Sequence, residues 1–124
     1  MVLLDLLGVR GPTIPSYFKR SKRWHDDLEA IEKTLRNGGM WAGNGESPYF
    51  PNKQVDYGVE DDHTPFLERG VGILHLIAIP YPDVWHKPDD KKSALNFDTI
   101  ENFNMVMRLF VCRYLRLPGN LTSM

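Results

Sequence analysis

The sequence predicts an α/β fold in which a parallel sheet is covered by helices. Two apolar runs, at residues 2–8 and 71–79, lack the alternation of a half-exposed strand, which is typical of strands buried in a parallel sheet. Strand, helix, strand and helix follow one another, which favours a right-handed crossover between parallel strands. Because two such strands would leave both sheet edges unprotected, we expect the chain to be the C-terminal part of a larger α/β domain.

The first run, VLLDLLG at residues 2–8, is predicted to be a short strand buried on both faces and ending at Gly8. Asp5 stands inside it, and a buried carboxylate costs several kcal/mol unless partners meet it. A role in pinning a turn and a role in a site both remain open for Asp5. The run lacks a basic n-region, so it is not expected to act as a signal peptide.

A helix is predicted from about Ser21 to Asn37 and ends at Gly38 and Gly39. Its apolar residues recur at helical spacing and form one stripe, which consists of Trp24, Leu28, Ile31 and Leu35. Glu29 and Glu32 are expected on its exposed side. Residues 39–60 have no sustained period and are predicted to be a long loop, a type that is usually functional or disordered.

The segment DDHTPFLERG at residues 61–70 predicts a one-turn helix with Thr64 as N-cap, Pro65 in the first position and Gly70 as its end. Residues 71–79 form the second predicted strand, in which His75 is expected to be a hydrogen-bonded core residue. A loop over residues 80–97 follows.

The last helix is predicted to start at Asp98, with Glu101 as its capping-box partner. Its predicted inner face consists of Phe103, Met107, Phe110, Tyr114 and Leu117. The folded portion is expected to cover residues 1–117 and a flexible tail residues 118–124. A glycosylation sequon lies in that tail at residues 120–122.

Composition excludes several classes of function. The net charge of −1 and the pI near 6.4 give no electrostatic reason to expect nucleic acid or an anionic membrane as a partner. No apolar run approaches the roughly 20 residues that cross a bilayer. The single cysteine, Cys112, cannot form an internal disulfide and is expected to be a small buried apolar residue.

Chemistry is expected beyond the carboxyl ends of the strands, where ligands bind in open α/β sheets. There Tyr81, Trp85 and His86 could line a crevice, or Trp85 could simply cover the core. Residues 60–63, EDDH, are compatible with helix capping, with hard-metal ligation or with a proton network. His86 would suit tetrahedral zinc, which needs two more protein ligands.

Several blocks of the sequence resemble the C-terminal half of animal glutaminyl-peptide cyclotransferases, the glutaminyl cyclases. The blocks are VLLDLLG, PTIPSYF, RWHDDLEAIEKTL, VEDDHTPFLERGVGILHLIAIPYPDVWHKPDD and the final YLRL. This resemblance implies a three-layer α/β/α fold related to zinc aminopeptidases, with a single zinc ion. It further implies conversion of N-terminal glutamine in peptides and proteins to pyroglutamate with release of ammonia. The VEDDH block is more similar to the Golgi-resident type, so the resemblance implies the secretory pathway, either the Golgi or secretion.

The resemblance also implies roles for individual residues: His86 as a zinc ligand, Tyr81 and Trp85 as aromatic walls, Asp5 and Asp61 as acids bonded to a catalytic glutamate, and Glu60 as a border of the substrate. The family's other zinc ligands and its catalytic glutamate lie upstream of the matching region, so the chain is expected to be inactive alone. The alternative is a non-catalytic fragment that acts, if at all, as an interaction module through its exposed sheet edge.

Overall fold

The computed structural model describes residues 1–44, 47–56 and 58–118. The sequon and residues 119–124 of the predicted tail lie outside the described residues. The regular elements are strand β1 (Val2–Asp5), helix α1 (Lys22–Asn37), helix α2 (Thr64–Glu68), strand β2 (Leu74–Ile77) and helix α3 (Phe97–Tyr114). Short 3-10 turns precede α1 at Lys19–Ser21 and α3 at Lys92–Ala94.

The two strands pair in parallel, with Leu3 opposite His75 and Asp5 opposite Ile77, which confirms the predicted parallel sheet. All of β2 is buried. Strand β1 is not buried on both faces as predicted, because Leu4 is 52% exposed although it lies opposite Leu76, on the sheet face that carries α3. Asp5, on the opposite face of β1, is half-buried rather than enclosed.

Helices α1 and α3 form a layer on one face of the sheet and run antiparallel. Trp24 near the start of α1 packs edge-on against Tyr114 at the end of α3, with ring centroids 5.8 Å apart. The predicted apolar stripe of α1 is confirmed, since Leu28 and Leu35 are buried and Trp24 packs against the core. On the other face of the sheet, Tyr17 and His63 pack against the ring of His75.

Glu32 was predicted on the exposed side of α1, and this prediction is wrong: Glu32 is 2% exposed. Its carboxylate accepts hydrogen bonds from the backbone N–H groups of Tyr49 at 2.8 Å and Phe50 at 2.9 Å. Arg36, one turn further along the helix, pairs with the same carboxylate at 2.8 Å. These partners compensate for burying the charge.

Part of the loop over residues 39–60 packs into the fold, although many of its described residues are exposed. Phe50 is fully buried and Tyr49 nearly so, and both belong to the core between the helices and the sheet. The Arg36 guanidinium lies 4.3 Å from the centre of the Trp41 ring. Gly39 adopts the left-handed conformation, with φ of 69°, and ends α1 as predicted.

Helix α3 begins one residue earlier than predicted, and its cap is Asn96 rather than a box formed with Glu101. Asn96 has an extended backbone, and its side-chain oxygen accepts from the N–H of Thr99 at 2.9 Å. An asparagine in this conformation satisfies an N–H that the first turn leaves unpaired.

The inner face of α3 is also rotated from the prediction. Phe103 and Phe110 are buried as predicted, whereas Tyr114 is 57% and Leu117 51% exposed. Their places on the inner face belong to Asn102, Val106 and Leu109. Asn102 can be buried because its amide bonds both backbone groups of Ala42. Cys112 is half-buried. None of the helices in the described part of the chain is long and apolar enough to cross a membrane.

Candidate active site

An aromatic array follows β2 at the carboxyl edge of the sheet. The Tyr81 and Trp85 rings meet edge to face with centroids 5.0 Å apart. The Trp85 and His86 rings stack at 3.9 Å with 19° between their planes. Trp85 is 39% exposed and His86 is exposed. Tyr81, Trp85 and His86 therefore form one continuous aromatic surface, which is partly exposed to solvent.

The backbone at His86 is in the left-handed region, with φ of 56°. Hydrogen bonds from Trp85 N to Pro82 O at 2.9 Å and from Lys87 N to Val84 O at 3.0 Å bracket this position. A non-glycine residue rarely adopts this conformation, and such residues concentrate at functional sites. The two turns thus hold the imidazole outward, against the face of Trp85.

A second group of polar residues lies on the sheet face opposite α1 and α3. His63 and His75 are 2% and 3% exposed, and their ring centroids are 4.6 Å apart. His75 Nε2 lies 3.5 Å from Asp61 Oδ2, which is long for a hydrogen bond. Asp5 follows the same face of β1 as Leu3, the residue opposite His75. The structure therefore gathers the predicted acids Asp5 and Asp61 around His75.

The pKa of His75 is lowered from its ordinary value, first because burial disfavours the charged form and next because His63 adjoins it. The carboxylates of Asp61 and Asp5 act in the opposite direction. Neither His63 Nδ1 nor His75 Nε2 has a hydrogen-bond partner among the described residues. His75 was predicted to be a hydrogen-bonded core residue: its burial is confirmed, but the ring nitrogen that faces Asp61 lacks a hydrogen bond.

Helix α2 holds Asp61 in place from its own first turn. It begins at Thr64 with His63 as N-cap, so Thr64 is not the cap as predicted. Instead Thr64 N donates to Asp61 O at 3.0 Å, and Asp61 N donates to Thr64 Oγ1 at 3.4 Å. These reciprocal bonds fold the EDDH segment so that Asp61 is half-buried while Glu60 and Asp62 face solvent.

Two residues of this site were not singled out as site residues from the sequence. His63 was predicted only as one of four polar residues in the EDDH segment, and Tyr17 was not singled out at all. Tyr17 donates to the carbonyl of Ile77 at 2.6 Å and its ring lies 5.9 Å from that of His75. No local sequence pattern predicts the contacts of Tyr17 and His63 with β2, because the contacting residues are 12 or more positions apart in the sequence.

The residues present fit only part of a metal site. In residues 1–44, 47–56 and 58–118 no group of three His, Cys, Asp or Glu side chains is placed to hold an ion. The exposed imidazole of His86 is a suitable nitrogen ligand for zinc. A complete tetrahedral site would need further ligands from outside the described residues.

The chain matches the model of peptidase family M28 over residues 1–111. Glutaminyl-peptide cyclotransferase of Bos taurus is 46% identical to it over 118 residues, which cover 94% of this chain and 33% of the relative. The chain thus spans about a third of the length of this relative.

Solved structures give the same relationship. The crystal structure of Macrostomum lignano glutaminyl cyclase superposes with a TM-score of 0.89 at 28% identity, covering 96% of this chain and 40% of that one. A leucine aminopeptidase precursor from Bacteroides thetaiotaomicron shares the fold, with a TM-score of 0.63 at 17% identity over 86% of this chain and 34% of that one. The chain therefore belongs to peptidase family M28, and its sequence and fold match part of the glutaminyl cyclases within that family.

Proposed function

We propose that this chain is the C-terminal part of a zinc-dependent glutaminyl-peptide cyclotransferase. The substrates are peptides and proteins with N-terminal glutamine, and the products are N-terminal pyroglutamate and ammonia. The observation that carries the proposal is the array of Tyr81, Trp85 and His86 at the carboxyl edge of the sheet. Since its relatives are glutaminyl cyclases, we also propose that the protein works in the secretory pathway.

The reaction is an intramolecular acyl transfer. The α-amine of glutamine attacks its own side-chain carbonyl carbon, a C–N bond forms, and the original amide C–N bond breaks to release ammonia. The amine must lose a proton and the leaving nitrogen must gain one, so an acid–base group has to serve both. Attack also requires the flexible side chain to fold back on its own amine, which a shaped wall makes more frequent.

The residues of this chain supply the wall and the surroundings of the acid–base group. The ring faces of Tyr81 and Trp85 would pack against the folded glutamine side chain and keep water away. His86 would supply one ligand to zinc, whose Lewis acidity, when it is bound, polarises the side-chain carbonyl. Asp61 and Asp5 would share protons with a neighbouring carboxyl group, because closely placed carboxyls cannot all ionise.

A chimaera tests this proposal. The matching segment of the Bos taurus relative is replaced with this chain, and ammonia release from a glutamine-initiated peptide is measured. We expect an active enzyme. The His86→Ala change should lower kcat/KM by more than ~100-fold, since even indirect partners of metal ligands are worth about 10–100-fold. Asp61→Asn should lower kcat by at least ~100-fold.

The matched control is Asp62→Asn, one position away on the exposed side of the same segment, which should change kcat less than about twofold. If His86→Ala keeps both zinc content and ammonia release, the proposal is wrong. If Asp61→Asn and Asp62→Asn behave alike, Asp61 has no role in proton transfer.

The alternative is a non-catalytic fragment that acts, if at all, as an interaction module. It is supported by the incomplete metal site and by the exposed residues Val2 and Leu4 on β1. Zinc analysis of the 124-residue chain separates the two functions. Stoichiometric zinc and ammonia release by this chain would contradict the non-catalytic fragment. If the chain alone has neither property but the chimaera is active, the result supports the cyclotransferase in its complete form.

A further inference from the structure

A narrow groove runs along the outer surface of the helical layer, between α1 and α3. It is a cavity of about 130 Å³. Leu35 from α1 and Leu109 from α3 contribute to its buried wall, and Met40 and Met105 line it where it is more exposed. Met40 is 38% exposed. The groove is therefore apolar inside and open to solvent.

Two cationic side chains of α3 also line this groove. Arg108 and Arg113 are both exposed. In the part of the chain that the structure describes, neither guanidinium has an ion pair, a hydrogen bond or a ring contact. Arg36 on α1, in contrast, is paired with Glu32 and packed on Trp41. The groove thus presents two unpaired positive charges beside an apolar cavity.

The size of the cavity restricts what can occupy it. A cavity of ~150 Å³ in another protein holds one benzene molecule, so this groove has room for one leucine- or phenylalanine-sized side chain. It is too small for a lipid acyl chain. The two arginines favour carboxylates beside that side chain, because a guanidinium binds carboxylates through paired N–H donors.

We propose that the groove between α1 and α3 docks an acidic peptide segment of a partner protein. One apolar side chain of the segment enters between Leu35 and Leu109, and carboxylates on either side of it pair with Arg108 and Arg113. An apolar anchor surrounded by charged contacts is a common arrangement at protein interfaces.

This docking site is separate from the candidate active site. On β2, Leu74 and Leu76 belong to the core formed with α1 and α3, whereas His75 points to the opposite face of the sheet. The groove shares Leu35 and Leu109 with that core, but neither His75 nor Tyr81 nor Trp85 lines it. Binding there would leave the wall of Tyr81 and Trp85 open.

The probe for this site is a fluorescent peptide with one leucine between two pairs of glutamates, and its binding is followed by anisotropy. Two control peptides replace the glutamates with lysines or the leucine with glycine. Binding is measured with the 124-residue chain and with the chimaera. We expect both proteins to bind the acidic leucine peptide, and to bind each control peptide at least ~10-fold more weakly.

Three variants test the residues. Arg108→Glu and Arg113→Glu should each weaken binding at least ~10-fold, because each replaces an attraction with a repulsion. The control Arg20→Glu makes the same charge change at an exposed residue away from the groove, and should change the affinity less than about twofold. Met40→Asp should weaken binding without unfolding, since Met40 is exposed.

Thermal unfolding verifies that each variant is folded. Equal affinity for the acidic and lysine peptides, or equal affinities of Arg113→Glu and Arg20→Glu, would overturn the proposal. It would also be overturned if the chain bound the peptide and the chimaera did not, because the groove would then be covered by the rest of the enzyme.

Discussion

The Glu32→Gln change is the sharpest test of how the long loop is held to the core. The carboxylate accepts from the N–H groups of Tyr49 and Phe50 and pairs with Arg36. Glutamine keeps one acceptor oxygen but turns an NH₂ donor toward one of these N–H groups. A buried N–H without an acceptor costs about 1–3 kcal/mol, and removing one charge of a buried pair costs about 3–5 kcal/mol.

Because the Arg36 side chain is 23% exposed, water can partly replace its lost partner, and we expect a loss of about 3 kcal/mol in the free energy of unfolding. The matched control is Glu29→Gln on the same helix. Glu29 pairs with Lys33, whose side chain is 68% exposed, so its loss should cost only about 0.3–0.5 kcal/mol. Urea unfolding followed by tryptophan fluorescence measures both. Equal losses in the two variants would show that Glu32 does not hold the loop.

Three further predictions concern stability. Burial lowers the pKa of His25 and His75 below the ordinary 6.5, so the unfolded chain binds more protons and the urea midpoint should fall as pH drops from about 7.5 to 5.5, while an unchanged midpoint would contradict this. Asn96→Ala should lower the free energy of unfolding by about 1 kcal/mol through loss of the N-cap of α3, which thermal unfolding would detect. Gly39→Ala should destabilise the protein by about 1–2 kcal/mol because the φ of Gly39 is 69°. Gly58→Ala, with no atom within 4 Å of the added carbon, should be neutral or stabilising. If Gly58→Ala destabilised the protein more than Gly39→Ala, the argument would be refuted.

Periodicity predicted the elements whose burial is decided locally. The stripe of α1 is confirmed, and the second apolar run does form a buried strand, but over Leu74–Ile77 rather than over residues 71–79. The same reasoning misplaced Glu32, because a glutamate at that spacing looks solvent-facing until Tyr49 and Phe50 return to the helix from 17 and 18 positions away. The spacing of residues in the sequence does not show that Tyr49 and Phe50 pack against this helix.

The prediction of which face of α3 is buried was wrong for a related reason. Phe103 and Phe110 face the core as predicted, but the rest of the buried face is the neighbouring row with Val106, and Tyr114 remains largely exposed. The row that is buried depends on where α1 and the loop lie, and an amide such as Asn102 can be buried once Ala42 meets it.

The candidate site was predicted in two unequal ways. The aromatic array could be placed at the sheet edge because loops after parallel strands meet there. The grouping of Asp61 with His63 and His75 depends on the EDDH segment packing against β2, which no local pattern in that segment specifies. The roles of the predicted site residues came from the family resemblance, and all of them stay predictions: Asp5, Glu60, Asp61, Tyr81, Trp85 and His86.

The left-handed backbone conformation at His86 positions a residue of the candidate site but lowers the stability of the chain. That conformation costs a non-glycine residue about 1–2 kcal/mol, and glycine adopts it freely. A glycine at this position should therefore yield a protein that melts at a higher temperature while it lacks the imidazole. Screens that select only for thermostability or soluble yield would enrich such molecules, and would discard the histidine without any sign of misfolding.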